Sequence, residues 1–89
     1  MAPRHDDLET IPGIGPNMAA HLRRLGIDSV AGLRGQSAET LYERDRELAG
    51  GGLDPCVLYT YRCAVYYASS DIHDPELLKW WNWKDRTSA

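Results

Sequence analysis

An all-α fold follows from three features of this 89-residue sequence. Prolines stand where helices start, at Pro16, Pro55 and Pro75, the last two directly behind an Asp that can cap the first turn. Glycines at 26, 35 and 50–52 follow the intervening apolar runs as left-handed stops or connectors. No stretch keeps the strict alternation of apolar and polar residues that a half-buried strand needs. The expected architecture is one compact domain of about five to six short helices over residues 8–85, behind a flexible N-terminus at 1–7. A domain of this length buries about 60–65% of its unfolded surface. Its 43% apolar residues, with three Trp and five Tyr, supply a modest core.

The first segment is organised around Ile11-Pro12-Gly13-Ile14-Gly15-Pro16. Leu8 and Ile11 share one face of a short first helix, which Asp6 or Asp7 can cap. Ala19 and Leu22 share one face of a second helix, from Pro16 to Leu25, and Ile14 plugs the gap between the two. Gly13 and Gly15 stand where a Cβ would clash or block a close approach. Residues 8–25 therefore read as a helix-hairpin-helix. Gly15 and the first turn of the following helix offer free backbone N–H groups, and the helix dipole adds partial positive charge. A nucleic-acid phosphate is the usual anion for such a turn, and the contact is blind to base sequence. A Gly-x-Gly alone equally suits a tight turn that binds nothing.

From Gly26 the chain packs back through Ile27, and Asp28-Ser29 offers an N-cap to a short helix with Val30, Ala31 and Leu33. Shifting the first segment by 22 residues aligns Leu8 with Val30, Ile11 with Leu33, Gly13 with Gly35 and Ala19 with Leu41. Residues 29–49 then read as a degenerate second hairpin that kept the geometry and lost the anion turn. Plain helix capping, with Ser37 as N-cap of a helix over 38–49, explains the same residues equally well. Gly50-Gly51-Gly52 is a connector, since no Gly-Lys-Ser/Thr follows and no strand precedes. Asp54-Pro55 opens a core helix over 55–69 that is apolar nearly all round and must be covered on most sides. Asp74-Pro75 opens a Trp-rich helix over 75–85, with Leu77, Trp80 and Trp83 on one stripe and Leu78 and Trp81 on another. At least one stripe must pack on the core helix. The other is left to anchor a protein partner, or to stack bases.

The net charge of −3 and pI of about 5.5 argue against a dedicated nucleic-acid binder, whose footprint is a basic stripe. No window reaches the ~18–20 continuous apolar residues of a membrane span, and the first residues lack a signal peptide's apolar centre. No membrane partner and a cytoplasmic location are expected. Cys56 and Cys63, seven residues apart on one helix, lie roughly 10 Å apart and cannot bridge. Unpaired thiols suit a reducing compartment. Both read as buried structural cysteines. The helix dipole would favour a Cys56 thiolate, but Asp54 opposes it. His5, His21 and His73 are scattered, Cys-x₆-Cys is not a zinc spacing, and no metal site is expected. No nucleophile with its base and no acid/base pair is legible, so no enzyme activity is expected.

The hairpin, the Gly-Ile-x-Ser-Val-x-x-Leu segment after it, the Asp-Pro-Cys helix start and the ending Leu-Leu-Lys-Trp-Trp-Asn-Trp-Lys-Asp together resemble the pathogenicity locus family. These are small bacterial helix-hairpin-helix proteins labelled mitomycin resistance proteins, and the resemblance covers residues 8–85. Helix-hairpin-helix modules that bind DNA do so through backbone amides around the turn. The resemblance implies Gly13, Gly15, Asn17 and Met18 as donors around Ile14. It also implies a monovalent cation on the carbonyls of Glu9, Ile11 and Ile14, with no other cofactor required. Arg23 and Arg24 lie about 10 Å along the helix, within reach of a neighbouring phosphate. Asp6, Asp7 and Glu9 leave the field around the turn near neutral, so binding is expected to be weak and salt-sensitive. Two readings result. One is a non-enzymatic module that binds the DNA backbone weakly through Gly13–Gly15, linked to DNA damage or mitomycin resistance. The other is a protein-interaction module whose Trp-rich end docks a partner.

Overall fold

The computed structural model describes residues 7–84, so the expected flexible end at 1–7 falls almost wholly outside the described residues, as does position 85. Among the described residues there are three α-helices: α1 over Pro16–Arg24, α2 over Ala38–Leu48 and α3 over Pro55–Ser69. Four 3-10 turns accompany them, at Leu8–Thr10, Ala31–Leu33, Pro75–Leu78 and Trp80–Trp83. The fold is all-α, but three helices and four short turns replace the expected five to six helices.

The sequence starts α2 and α3 in the same way. Ser37 accepts the N–H of Thr40 at 3.2 Å, and Asp54 accepts the N–H of Cys56 at 2.9 Å. Asp7 does not cap the turn that follows it; its Oδ1 accepts the N–H of Val30 at 2.7 Å and ties the first 3-10 turn to the second. Leu8, Ile11, Ala19, Leu22, Leu33 and Leu41 are all buried and form one cluster with Tyr61, Ala64 and Ala68 of α3. Burial on α3 is concentrated between Thr60 and Ala68; Cys56 is exposed and residues 57–59 are only partly covered. The helix expected to be covered on most sides is so covered only between 60 and 68, and of the two cysteines expected to be buried only Cys63 is. The first turn of α3 projects past the neighbours that cover the rest.

The segment expected as a single Trp-rich helix is broken at Lys79, whose backbone is extended at φ −94° and ψ 113°. Side chains do what helical N–H groups would have done. Asn82 donates to the carbonyl of Glu76 at 2.7 Å, and the Trp83 indole N–H donates to the carbonyl of Leu77 at 2.8 Å. Folding back in this way buries Trp83 completely. Arg62 of α3 then clamps the end, donating to the Trp83 carbonyl and to Glu39 of α2, each at 2.9 Å. Trp81, the third indole, stays 56% exposed.

Two stretches correspond in backbone conformation under the 22-residue shift. Gly13 and Gly35 both have positive φ, +89° and +74°, a region closed to most side chains. The helices that follow start in register, at Pro16 and Ala38.

Candidate functional site

The turn before α1 carries the predicted anion donors. Ile14 donates to the carbonyl of Ile11 at 3.0 Å, which closes the turn and buries the Ile14 side chain. Gly15 is the N-cap of α1, and having no side chain it leaves the first helical turn uncapped. Among the described residues no protein acceptor takes the N–H groups of Gly13, Gly15, Asn17 or Met18. In the corresponding turn before α2, Ser37 caps the helix and the Gly35 N–H lies 3.4 Å from Ser69 Oγ. Both turns close with the same backbone bond, Ile14 to Ile11 and Gln36 to Leu33, but Ser69 and Ser37 stand near or accept the N–H groups of Gly35 and Thr40, whereas the matching groups of Gly13 and Met18 have no protein acceptor among the described residues.

The two glycines have different roles. Gly13 takes the left-handed conformation, and a Cβ there would stand 3.1 Å from Cδ1 of Trp80. Gly15 has φ −98°, which any residue adopts, and a Cβ there would meet nothing within 4 Å. The steric demand expected at both positions thus holds at Gly13 alone. At Gly15 the space is open toward solvent, where an approaching ligand would stand. Asn17 is exposed, whereas Met18 leans on the core with only its backbone available. Of the three carbonyls matched to a cation, that of Ile11 already accepts the Ile14 N–H and keeps one lone pair.

Arg23 and Arg24 are both exposed. The Arg24 guanidinium, however, turns toward a group that no local motif marks. Asp45 of α2 is completely buried, and a carboxylate there must be paired and hydrogen-bonded. Tyr61 of α3 donates its hydroxyl to Oδ2 at 2.5 Å, His21 Nδ1 of α1 lies 2.7 Å from the same oxygen, and Arg24 Nη2 lies 3.4 Å from Oδ1. Burial and the Asp45 carboxylate both push the Tyr61 hydroxyl up, far above the ordinary tyrosine range. One buried carboxylate thus joins all three helices. The partner of His21 lies 24 positions away, beyond any local motif; an Asp in the middle of an amphipathic helix, on the Ala38–Leu41 face, is the signal the sequence offers.

The thiols separate clearly. Cys63 is buried between the carbonyls of Leu77 and Pro12, at 3.5 and 4.0 Å, and burial pushes it up to about 11. Cys56 is exposed, and its thiol is raised chiefly by the hydrogen bond and charge of Asp54. No disulfide joins them. Among the described residues no group of three or more His, Cys, Asp or Glu side chains could hold a metal ion, and no helix is long and apolar enough to cross a membrane.

Comparison with known proteins adds two findings. The model of the pathogenicity locus family (Cdd1) matches residues 2–89. The mitomycin resistance protein McrB of Streptomyces lavendulae is 36% identical over 77 residues, which span 86% of this chain and 70% of that protein. No solved structure matches the chain.

Proposed function

This chain belongs to the pathogenicity locus family, and from that premise we propose that it is a non-enzymatic helix-hairpin-helix module that binds the DNA backbone weakly, through the turn Gly13-Ile14-Gly15. The observation that supports this most is the uncapped start of α1, where among the described residues the N–H groups of Gly15, Asn17 and Met18 have no protein acceptor while the space over Gly15 is open. A phosphate oxygen satisfies such donors and meets the positive end of the helix dipole. Nothing in this contact reads a base, so affinity is independent of sequence. On this reading the segment at 29–49 is a degenerate second hairpin that has lost the anion turn, since Ser37 and Ser69 now accept the N–H groups of Thr40 and Gly35. A monovalent cation on the carbonyls of Glu9, Ile11 and Ile14 would add positive charge beside the phosphate, and no other cofactor is required. The name of the relative from Streptomyces lavendulae extends the proposal to a role in mitomycin resistance exercised at DNA, in the cytoplasm, where Cys56 and Cys63 remain thiols.

The test is a salt titration of binding to a short labelled duplex, with amide spectra of the ¹⁵N-labelled protein recorded alongside. The expected log–log salt slope is shallow, corresponding to about two to four phosphates at ~0.9 each. The largest amide shifts should fall on Gly13, Gly15, Asn17 and Met18. Binding that leaves these amides unmoved would overturn the assignment. A second reading, docking of a protein partner, is favoured by one observation: Trp81 is exposed at the rim of an otherwise packed Trp segment. Shifts confined to Trp81 and its neighbours on addition of cell extract, with none on DNA, would support it instead.

A further inference from the structure

Asn17, His21 and Arg24 are spaced i, i+4 and i+7 on α1 and therefore share one face. That face continues from the uncapped turn, and His21 lies about 9 Å beyond Gly15 at 1.5 Å per residue. His21 is 24% exposed and rests on a carboxylate that is wholly enclosed. We propose that His21 is a second phosphate contact for the DNA backbone, engaged when its ring is protonated and held in place by Asp45. This rests on the proposed DNA reading and adds to it a residue and a pH dependence.

The chemistry starts at Nδ1. Arg24 Nη2, always a donor, lies 3.0 Å from it, and Asp45 Oδ2, an acceptor, lies 2.7 Å from it. A bare Nδ1 would face the Asp45 oxygen lone pair to lone pair at the shorter of the two distances. The proton therefore sits on Nδ1 and is donated to Asp45. In the neutral ring this leaves Nε2 as a bare acceptor, with nothing to offer a phosphate. Among the described residues Nε2 makes no hydrogen bond. When the ring takes up a proton, that proton goes to Nε2, because Nδ1 already carries one, and Nε2 becomes a charged donor.

The groups facing the ring are Asp45 from α2, Tyr61 from α3 through the shared Oδ2, and Arg24 from α1 itself. Arg24 offsets the Asp45 charge, so the protonated ring adds one net positive charge to this face. The remaining guanidinium nitrogens of Arg24 stand beside it, and that side chain is 55% exposed. A phosphodiester oxygen reaching this face would meet both side chains. The added donor exists only on the protonated ring, so DNA affinity should rise as the solution is acidified.

The experiment is fluorescence anisotropy with a labelled duplex of mixed sequence at low salt, at pH 8 and pH 5.5. It uses the wild-type protein and His21→Gln, whose amide can still donate to Asp45. Wild type should bind about tenfold more tightly at the lower pH, a charge-assisted hydrogen bond's worth. Its log–log salt slope should steepen by about 0.9, one further phosphate. His21→Gln should bind equally at both pH values. An acid gain retained in His21→Gln, or wild-type binding with no acid gain, overturns this inference and leaves the turn as the anion site. No binding at either pH overturns both. Should His21→Gln fail to fold, imidazole ¹⁵N spectra of the wild-type protein at pH 8 decide the point. A proton found on Nε2 in place of Nδ1 overturns the inference.

Discussion

The Tyr61 hydroxyl donates to the buried carboxylate of Asp45 at 2.5 Å, and this bond joins α3 to α2 at the centre of the protein. Neither residue is exposed, so water cannot replace the bond if one partner is lost. Tyr61→Phe keeps the ring in the core and removes one of the three donors that stabilise Asp45. The expected cost is ~1–3 kcal/mol, the penalty for leaving a buried acceptor short of a partner. Urea unfolding of the two proteins measures it, and a midpoint equal to wild type would show that Asp45 does not depend on Tyr61.

The two glycines of the turn should separate stability from affinity. Gly13→Ala places a side chain at φ +89° and 3.1 Å from the Trp80 ring, and is expected to cost ~1–3 kcal/mol. Gly15→Val adds atoms in open space at an ordinary φ. Its melting temperature should stay close to wild type while DNA affinity falls, because the branched side chain stands where the phosphate would approach. Thermal melts and anisotropy on the same samples check both. A Gly15→Val protein that is intact and binds as well as wild type would remove the turn from the proposal.

Alkaline pH should destabilise the protein through Cys63. Below about pH 9 its thiol is protonated in both the folded and the unfolded chain. Between there and about 11 the unfolded chain gives up the proton and the folded chain keeps it, so stability falls as pH rises. Two pH units of difference amount to about 2–3 kcal/mol by pH 11. Tyr61, also raised by burial, adds to the loss above about pH 10. Cys63→Ala should flatten the part of the urea-midpoint profile between pH 9 and 10, where the thiol acts alone.

Thiol labelling reports the same packing from outside. Cys56 should react with iodoacetamide in the native protein, more slowly than a free thiol because Asp54 disfavours its thiolate. Cys63 should stay unlabelled until the protein unfolds. Mass spectrometry over a time course distinguishes them, and native labelling of Cys63 would contradict the burial of α3.

The indoles should be strongly unequal. Trp83→Ala removes a fully buried side chain whose N–H satisfies the Leu77 carbonyl. It is expected to cost ~3–5 kcal/mol, a large share of the reserve of so small a domain. Trp81→Ala, on the surface, should stay within about 0.5 kcal/mol of wild type. Near-equal effects in a thermal melt would show that the tail is not folded back on α3.

Local signals are the ones that can be read along the chain. Proline, glycine and capping residues act within one helical turn of their own position, so the starts at Pro16, Ala38 and Pro55 and the turn at Gly13 were legible without the fold. The 22-residue correspondence was legible for the same reason. Contacts across the chain decided the rest. The Trp segment carries the cap, proline and apolar content of a helix. It nevertheless breaks at Lys79, and the fold-back buries the Trp83 side chain completely and gives its indole N–H the Leu77 carbonyl. Cys56 and Cys63 share a helix and a type, and only the elements that cover 60–68 make one buried and the other exposed. The His21, Asp45 and Tyr61 cluster is the clearest case. Each of these residues is unremarkable in its own stretch, and their meaning comes from three helices closing around one carboxylate that water cannot reach.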